Sequence, residues 1–368
     1  MNFNSFDALI ITNPTNIRYL TGFVGAAPEE REAYCLITQK SICLFTNALY
    51  LEQSKNFKQQ SVQVVEISRE NPLAKELAKL TETLHIKQLG FEETDLTVAE
   101  YGKLRKELPS ITLVPTQNRI EELRMIKRDD EIENIRAAAK ITDLCFSFIL
   151  GKLKSSLPAK ASVKEGVTES EIAWEIESFI KTHGASLAFS PIVAFGPNTS
   201  QPHYQVQPQG PALRLRGPNI ILLDFGAQVN GYCSDMTRVV FIGKPEAKWV
   251  KAYDTVLQAQ TAALEYLASR PGLEATGGKA DRVARDVIEK SGFPPYPHSL
   301  GHGVGLDIHE SPRLTISKDA ELKPGMIVTV EPGIYIEGQY GIRIEDLILL
   351  KEDGIEILST SNKQMIIL

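Results

Sequence analysis

The sequence predicts an α/β N-terminal domain followed by an α+β domain with a curved, mostly antiparallel sheet. In the first 120 residues, apolar strand-like runs alternate with segments of helical periodicity, a pattern typical of α/β structure. The rest begins with long amphipathic segments, and strand-like runs dominate it from residue 326 onward. A charge-rich link, residues 119–130, connects the two parts. We place the domains at residues 1–120 and 121–368.

The N-terminal part contains six predicted strands and three predicted helices. The strands are 7–12, 34–38, 41–45, 62–67, 86–91 and 111–114. The helices are 14–19, 72–84 and 98–108. The second and third strands are close enough in sequence to form a hairpin. The acidic and basic residues here resemble a solvated surface, so we expect this domain to serve assembly or substrate access.

The C-terminal part begins with two predicted helices, one after residue 130 and one from Thr168 to His183. Thr168 with Glu171 three residues later is the pattern of a capping box. Two further helices, a strand and a long loop containing His203 follow. Their predicted bounds are 247–268 and 279–290 for the helices, 192–195 for the strand and 196–217 for the loop.

Composition narrows the class of protein. The net charge of −6 and the pI near 5.7 argue against a nucleic-acid partner, which would normally need a basic patch. The four cysteines have no paired or metal-like spacing, which suits a reducing compartment. Residues 1–8 lack the pattern of a secretory signal, and no apolar run approaches the ~20 residues of a membrane span. We therefore expect a cytoplasmic protein without a membrane partner.

A predicted hairpin carries two acidic residues. Asp224 ends an apolar strand-like run, and the strong turn signal Asn230-Gly231 precedes Asp235. If Val229-Asn230 is the loop, Asp224 faces Asp235 directly. If Asn230-Gly231 is the loop, Asp224 faces Thr237 and Asp235 lies diagonally across. In both registers the two carboxylates share one face, with Cβ atoms roughly 5–8 Å apart.

Two carboxylates at this separation need a shared proton or a cation between them. A proton-sharing pair is therefore the main alternative to a metal site. A purely structural alternative is that one aspartate caps the turn. Asp224 lies on the strand side, and Asn230-Gly231 already supplies the turn residues, so this alternative is less favoured.

Three of the six histidines, His298, His302 and His309, fall within one short segment. Glycines flank His302 on both sides and let its backbone approach a ligand closely. Segment 301–305 is rich in glycine, but it lacks the strand-then-helix context of a dinucleotide-binding loop. The segment therefore predicts a histidine-containing site rather than a phosphate loop.

Two glutamates lie at or in predicted strands further along the chain. Glu331 follows the strand 326–330 and precedes a Pro-Gly pair. In the predicted strand 341–349, period-2 alternation places Arg343 and Glu345 on one face. Taken alone, Glu345 would most often be a solvated strand residue.

Five candidate metal ligands result: Asp224, Asp235, His302, Glu331 and Glu345. Four carboxylates and one imidazole favour Mn²⁺, Fe²⁺ or Co²⁺ over a thiolate-rich structural zinc site. Four carboxylates would over-neutralise a single divalent ion. Two ions about 3.5–4 Å apart balance the charge better and form a hydrolytic site.

Five short motifs surround these candidates: 224–227, 231–238, 301–310, 330–335 and 343–346. Together they resemble the metal-dependent Xaa-Pro peptidases, the prolidases and Xaa-Pro aminopeptidases. Residues 13–22 resemble the N-terminal domain of that family, and residues 121–127 resemble its interdomain link. The resemblance implies the pita-bread catalytic fold, which the family shares with methionine aminopeptidase.

The resemblance also implies two divalent metal ions, with Mn²⁺ favoured and Co²⁺, Fe²⁺ or Zn²⁺ as alternatives. The residues implied for the first ion are Asp224 and Asp235. Those implied for the second are Asp235, His302, Glu331 and Glu345, with Asp235 and Glu345 bridging. Glu331 is implied as the proton carrier, and the other implied active-site residues are His203, His298, His309, Arg313 and Arg343.

The implied activity is hydrolysis of the bond between an N-terminal residue and proline, with Xaa-Pro dipeptides preferred. An Xaa-Pro aminopeptidase acting on longer peptides is the alternative. Methionine aminopeptidase lacks a counterpart of the first domain, and a non-catalytic pita-bread binding module would have lost the ligands. The expected partners are small proline-containing peptides and a second copy of the chain in a homodimer. Residues 155–163 resemble an insertion, and the loop after His203 departs from the family pattern.

Overall fold

The computed structural model describes residues 5–27, 30–54, 62–156, 166–206, 214–215, 217–269 and 275–368. The chain divides into two compact units, Met1–Arg124 and Met125–Leu368. The predicted boundary after residue 120 lies four residues before this division. The role of the first unit in assembly or substrate access stays a prediction.

The first unit is built on a six-stranded mixed sheet with the order β4-β3-β2-β1-β5-β6. Its strands are β1 (Ala8–Ile11), β2 (Ala33–Thr38), β3 (Ile42–Thr46), β4 (Val62–Glu66), β5 (Gln88–Glu92) and β6 (Thr112–Thr116). Its helices are α1 (Pro14–Thr21), α2 (Leu51–Ser54), α3 (Leu73–Thr83) and α4 (Val98–Glu107). The predicted hairpin is confirmed, because β2 and β3 pair antiparallel. Helix α1 is capped at its C-terminus by Gly22, whose φ of 79° suits a left-handed cap.

The charge-rich link contains a short helix, α5 (Glu121–Met125), that was not predicted. Arg124 on this helix is buried, and its Nη1 donates a hydrogen bond to Asn16 Oδ1 over 2.9 Å. Asn16 in turn donates to the buried carboxylate of Glu92. The buried, hydrogen-bonded Arg124 holds the link in a defined conformation, because a buried charge needs such partners. The charge-rich composition of the link does not by itself predict this order.

The described residues of the second unit form four long helices and four small sheets. The helices are α6 (Asp129–Ser155), α7 (Glu169–Thr182), α8 (Ala247–Ala268) and α9 (Gly277–Lys290). The strands of the N-terminal half are β7 (Ser186–Leu187), β8 (Ile192–Phe195), β9 (Asn219–Asp224), β10 (Ala227–Val229), β11 (Tyr232–Cys233) and β12 (Thr237–Ile242). Those of the C-terminal half are β13 (Gly301–Gly303), β14 (Glu310–Leu314), β15 (Ile327–Val330), β16 (Gly333–Ile336), β17 (Tyr340–Arg343), β18 (Asp346–Lys351), β19 (Gly354–Ile357) and β20 (Ile366–Ile367).

These strands form sheets in the orders β11-β10-β7, β20-β12-β9-β8, β14-β13-β15-β18-β19 and β16-β17. Within the described part of this unit, the pairs are antiparallel except for β12 with β20. The expectation of a mostly antiparallel sheet structure is thereby confirmed. The capping box at Thr168 and the bounds of helix α8 are also as predicted.

Strand β9 is buried on both faces between two pairs of helices. Ile221 and Leu223 pack in a cluster with residues of α6 and α7. Ile220 and Leu222 pack in a second cluster with residues of α8 and α9. Alternation along a strand sends successive side chains to opposite faces, so Asp224 continues the row that faces α8 and α9. Asp224 therefore lies at the end of β9, on the face of the strand that is turned toward α8 and α9.

The predicted strand 341–349 is two strands in the structure. Strand β17 pairs with β16, whereas β18 pairs with β15, and the chain leaves the ladder at Ile344 and Glu345 between them. The change of partner forces this break. A matching break at Glu331-Pro332 separates β15 from β16.

Three other predictions need a comment. Helix α9 begins at Gly277, two residues earlier than predicted, because the Thr276 side chain caps it. The start of the predicted loop 196–217 forms a short 3₁₀ turn, Gly196–Ser200, and residues 207–213 and 216 of that loop lie outside the described residues. Residues 157–163 of the predicted insertion also lie outside them. No helix within the described ranges is both long and apolar enough to cross a bilayer.

Candidate metal centre

The hairpin between β10 and β11 decides between the two registers considered for the aspartates. Val229 pairs with Tyr232, and the loop residues Asn230 and Gly231 have φ of 49° and 87°. Positive φ at both loop residues is the requirement of a type I′ turn, which Asn-Gly satisfies. In this register Asp224 pairs with Thr237, so Asp235 lies diagonally across on the same face.

The two glutamates lie at the two breaks between strands and are held there by their own main chains. The N–H of Glu331 donates to the carbonyl of Leu300 over 2.8 Å. The N–H of Glu345 donates to the carbonyl of Thr237 over 3.2 Å. At each break the main chain leaves the strand ladder, so the glutamate side chain can turn toward the cavity. The one main-chain hydrogen bond of each glutamate fixes the position of its backbone.

His302 lies on β13, and its ring is oriented by its own backbone. Nδ1 lies 3.1 Å from the carbonyl oxygen of Gly303, so this nitrogen carries the proton and donates. Nε2 is then free, 3.3 Å from Glu331 Oε1 and 3.7 Å from Asp235 Oδ2. Burial, with a smaller contribution from His309, lowers the pKa of His302 to about 3. The imidazole is therefore neutral, which a metal ligand must be.

The glycine before His302 is required by close packing. A Cβ on Gly301 would lie 1.9 Å from the carbonyl oxygen of Thr329. Gly301 therefore lets β13 approach β15 closely, and this brings His302 beside Glu331.

The four carboxylates strongly disfavour being ionised together in the absence of a cation. Burial, followed by repulsion from neighbouring carboxylates, raises the pKa of Asp235 and of Glu345 well above the ordinary range. Burial raises the pKa of Glu331 to about 7. The pKa of Asp224 is also raised by burial, although Arg343 Nη2 lies 2.5 Å from its Oδ2. A bound cation would remove this cost.

The donor atoms fit such a cation. Among the described residues, the buried oxygens Asp224 Oδ1, Asp235 Oδ1 and Glu345 Oε1 have no hydrogen-bond partner. Ligand atoms of Asp235, His302 and Glu345 all lie within 4.8 Å of one another. Buried carboxylate oxygens without donors are costly unless an ion occupies the space between them. The turn-capping alternative for Asp224 is wrong, because its carboxylate contacts Arg343 instead of a turn amide.

Thr237 joins the arginine to the last glutamate. Its Oγ1 donates to Glu345 Oε2 over 2.6 Å and accepts from Arg343 Nε over 2.9 Å. Arg343 and Glu345 are thus neighbours, as alternation predicted. Thr237 itself was not predicted as a site residue. The hairpin register, which places it opposite Asp224, was the signal that could have identified it.

The remaining histidines surround the carboxylates. His298 Nδ1 donates to the carbonyl of Ser299 over 2.8 Å, so its Nε2 accepts from the hydroxyl of Tyr335 over 3.0 Å. Burial, with a contribution from Arg343, lowers the pKa of His298 to about 3. The rings of His302 and His309 meet edge to face at 4.4 Å, and burial lowers the pKa of His309.

All ten predicted site residues line one cavity of about 410 Å³. They are His203, Asp224, Asp235, His298, His302, His309, Arg313, Glu331, Arg343 and Glu345. Three apolar residues that were not predicted, Phe189, Ile192 and Ile308, complete the wall together with Ser299. Their sequence contexts resemble ordinary core positions, so nothing in the sequence marks them as lining.

A carboxylate-rich centre with one imidazole, in a cavity among antiparallel sheets flanked by helix pairs, defines a metal-dependent hydrolase. Residues 133–352 match the model of metallopeptidase family M24, and residues 1–126 match that of the creatinase/prolidase N-terminal domain. The chain belongs to metallopeptidase family M24 and has its pita-bread catalytic fold.

Related proteins match over nearly the whole chain. The Xaa-Pro dipeptidase of Pyrococcus furiosus is 33% identical and is covered to 97%, with 100% of this chain aligned. The solved structure of an Xaa-Pro dipeptidase from Bacillus anthracis has a TM-score of 0.86 at 36% identity, covering 99% of this chain and 95% of that one. An X-Pro aminopeptidase from Thermotoga maritima has a TM-score of 0.84 at 32% identity, with coverages of 99% and 98%.

Proposed function

We propose that this metallopeptidase hydrolyses the bond between an N-terminal residue and a following proline, with Xaa-Pro dipeptides as preferred substrates. The observation that carries the proposal is the centre itself: among the described residues, three buried carboxylate oxygens without hydrogen-bond partners and a neutral imidazole line a cavity of about 410 Å³. Similarity to proteins named Xaa-Pro dipeptidase supports this substrate class.

Two divalent ions are proposed, because four carboxylates carry the charge that two such ions neutralise. Asp224 and Asp235 would hold one ion. The proposed ligands of the second are Asp235, His302, Glu331 and Glu345. Oxygen-rich sites with one imidazole favour Mn²⁺, with Co²⁺, Fe²⁺ or Zn²⁺ as alternatives. When bound, the ions supply a water acidic enough to act as a nucleophile near neutral pH.

Glu331 is the proposed proton carrier. Its pKa of about 7 in the metal-free protein shows how strongly burial favours the protonated carboxyl. It accepts the proton from the attacking water and returns it to the leaving proline nitrogen. Proline needs a dedicated peptidase because its nitrogen carries no N–H and its ring fixes φ.

His309 and His203 are the proposed donors to the oxyanion of the tetrahedral intermediate. The lowered pKa of His309 keeps its ring neutral, with one N–H available to donate. His298 shapes the wall of the cavity through Tyr335, whose hydroxyl also accepts from Arg343 Nη1 over 3.0 Å. Arg343 holds the carboxylate of Asp224 in place.

The length of the preferred peptide is the first test. With Mn²⁺ added, the protein is expected to hydrolyse Ala-Pro with kcat/KM at least about tenfold above that for Ala-Pro-Ala, because only the dipeptide presents its carboxylate beside the proline. Chelator-treated protein is the control and should be inactive on both. Comparable hydrolysis of the tripeptide would favour the alternative, an Xaa-Pro aminopeptidase.

Arg313 provides the second test, because its side chain lines the cavity and is exposed to solvent there. Its planar fork suits the carboxylate of a dipeptide. The change Arg313→Ala is expected to raise KM for Ala-Pro about 10- to 100-fold, since a charge-assisted pair is lost. Arg282→Ala, on the exposed face of α9, is the matched control. An equal loss on Ala-Pro-Ala would assign Arg313 a role unrelated to the substrate carboxylate.

A homodimer is also proposed from the resemblance to this family. Sedimentation equilibrium should then give twice the chain mass of 40.8 kDa. A non-catalytic binding module is opposed by the presence of all five ligand residues in one cavity. Protein without bound or activating divalent ions would instead support that alternative.

A further inference from the structure

Helix α8 carries one amide side chain among its buried residues, and that amide reaches the two strand breaks. Gln260 is fully buried and lies in the row of α8 that packs against the sheets. Its Nε2 lies 3.2 Å from the carbonyl oxygen of Val330 and 3.3 Å from that of Ile344. Both neighbours are acceptors, so the amide is oriented with its NH₂ group toward them.

These two carbonyls belong to the residues immediately before Glu331 and Glu345. Glu331 follows β15 and Glu345 immediately precedes β18, and these two strands pair through Val330 and Asp346. One NH₂ group with two hydrogens therefore ties together the two points at which the main chain leaves its ladders. The distance between the two glutamate backbones is set in part by this single side chain.

Stability alone does not explain a glutamine at this position. Gln260 Oε1 is buried and, within the described part of the chain, has no hydrogen-bond partner. A half-satisfied buried amide costs free energy that an apolar side chain of the same length would not. The neighbours of Gln260 on α8, such as Val256 and Ala263, are apolar and belong to the core. The two bonds that Nε2 donates to main-chain carbonyls offset this cost, so net stability does not favour glutamine here and a role in the site explains it better.

We propose that Gln260 is a positioning residue that fixes the spacing of Glu331 and Glu345 and thereby the affinity of the centre for its metal ions. Side chains that orient metal ligands without touching the ion commonly alter metal affinity when removed. The inference rests on the proposed assignment of both glutamates as ligands. It assigns Gln260 no contact with the substrate or with the ion.

The test is the change Gln260→Met, which keeps the length and the apolar stem but removes the donors. Titration calorimetry of chelator-treated protein with MnCl₂ is expected to show a dissociation constant raised about 10-fold or more, in the range found for removal of such supporting groups. Thermal denaturation in EDTA reports the fold separately. The expected midpoint is close to that of the unchanged protein, because the loss of two bonds to carbonyls is offset by removal of the unpartnered Oε1.

Tyr253→Phe is the matched control. Tyr253 is buried on the same helix, and its hydroxyl also donates to a main-chain carbonyl, that of Lys363, over 3.1 Å. This variant should lose some thermal stability and keep the Mn²⁺ affinity. If Gln260→Met lowers the denaturation midpoint in EDTA but leaves Mn²⁺ affinity unchanged, Gln260 is structural and the proposal is overturned. Gln260→Leu gives the same readouts if the methionine variant does not fold.

Glu345→Ala separates failure of this inference from failure of the site assignment. If Glu345→Ala loses Mn²⁺ binding while Gln260→Met binds Mn²⁺ unchanged, the ligand assignment is supported and only the role of Gln260 is overturned. Unchanged Mn²⁺ binding in Glu345→Ala would overturn the assignment of the ligands themselves.

Discussion

Replacing Glu331 by glutamine is expected to lower kcat for Ala-Pro by about 10³-fold, within the range of proton-transfer catalysis. Glutamine has nearly the same shape, and its carbonyl oxygen can still approach an ion, but it cannot take up a proton. The role is proposed from the position of Glu331 in the cavity, 3.3 Å from Nε2 of His302, and in the metal-free protein burial raises the pKa of this carboxyl to about 7. Steady-state kinetics at saturating Ala-Pro with Mn²⁺ in excess measure the effect.

The control for this change is Glu321→Gln, an identical substitution at an exposed residue whose carboxylate pairs with Lys323. It should leave kcat unchanged. Bound manganese must be measured in parallel, since Glu331 is also a proposed ligand. If Glu331→Gln recovers turnover when the Mn²⁺ concentration is raised, Glu331 serves only as a metal ligand. That result would contradict its assignment as the proton carrier.

Asp235→Asn is expected to have opposite effects on the metal-free and the metal-loaded protein. Without metal at pH 8, the variant should be more stable than the unchanged protein by about 1–3 kcal/mol, because one buried charge and its repulsion are removed. With Mn²⁺, the unchanged protein gains stability by binding, about 2.7 kcal/mol at a hundredfold excess over the dissociation constant. The variant should gain little.

The dependence on pH follows from the raised pKa values of Asp235, Glu331 and Glu345. With these pKa values raised, the folded metal-free protein binds more protons than the unfolded chain at and above the ordinary carboxyl pKa of about 4. Its stability therefore falls as pH rises through that window. Protons compete with metal for the same oxygens, so the gain from Mn²⁺ should be larger at pH 8 than at pH 6.

Chemical denaturation at pH 6 and at pH 8, each with EDTA or with MnCl₂, measures the free energy of unfolding under these four conditions. Asp353→Asn, at a side chain that is 82% exposed, is the control and should change none of them appreciably. An Asp235→Asn variant that is less stable than the unchanged protein in EDTA at pH 8 would contradict the account of the buried charges. A variant that Mn²⁺ still stabilises fully would contradict the role of Asp235 as a ligand.

Local patterns were sufficient for much of the fold. The Asn230-Gly231 turn, the capping box at Thr168 and the bounds of α8 depend on residues close together in sequence, and all are observed. It was also predictable that Asp224 and Asp235 share one face of the sheet. The two possible registers differ by two residues, and such a shift leaves every side chain on the same face. The choice between the two registers needed the structure.

The strand breaks at Glu331 and Glu345 were not predictable as a pair. Residues 341–349 alternate like one strand, yet the chain changes partners at Ile344, since β17 pairs with β16 and β18 with β15. Which strand pairs with which depends on packing between segments far apart in the chain. Alternation nevertheless placed Arg343 beside Glu345 correctly, because both contact the hydroxyl of Thr237.

Sequence patterns alone were enough to predict the chemical types of the candidate ligands, the turn that brings two aspartates to one face, and membership of the metallopeptidase family. Each of these depends on residue chemistry or on neighbours a few positions apart. The fold was needed to show that Thr237 joins Arg343 to Glu345 and that Gln260 of α8 spans the two strand breaks. Such contacts join residues 70 to 108 positions apart, and the packing of helices on sheets brings them together.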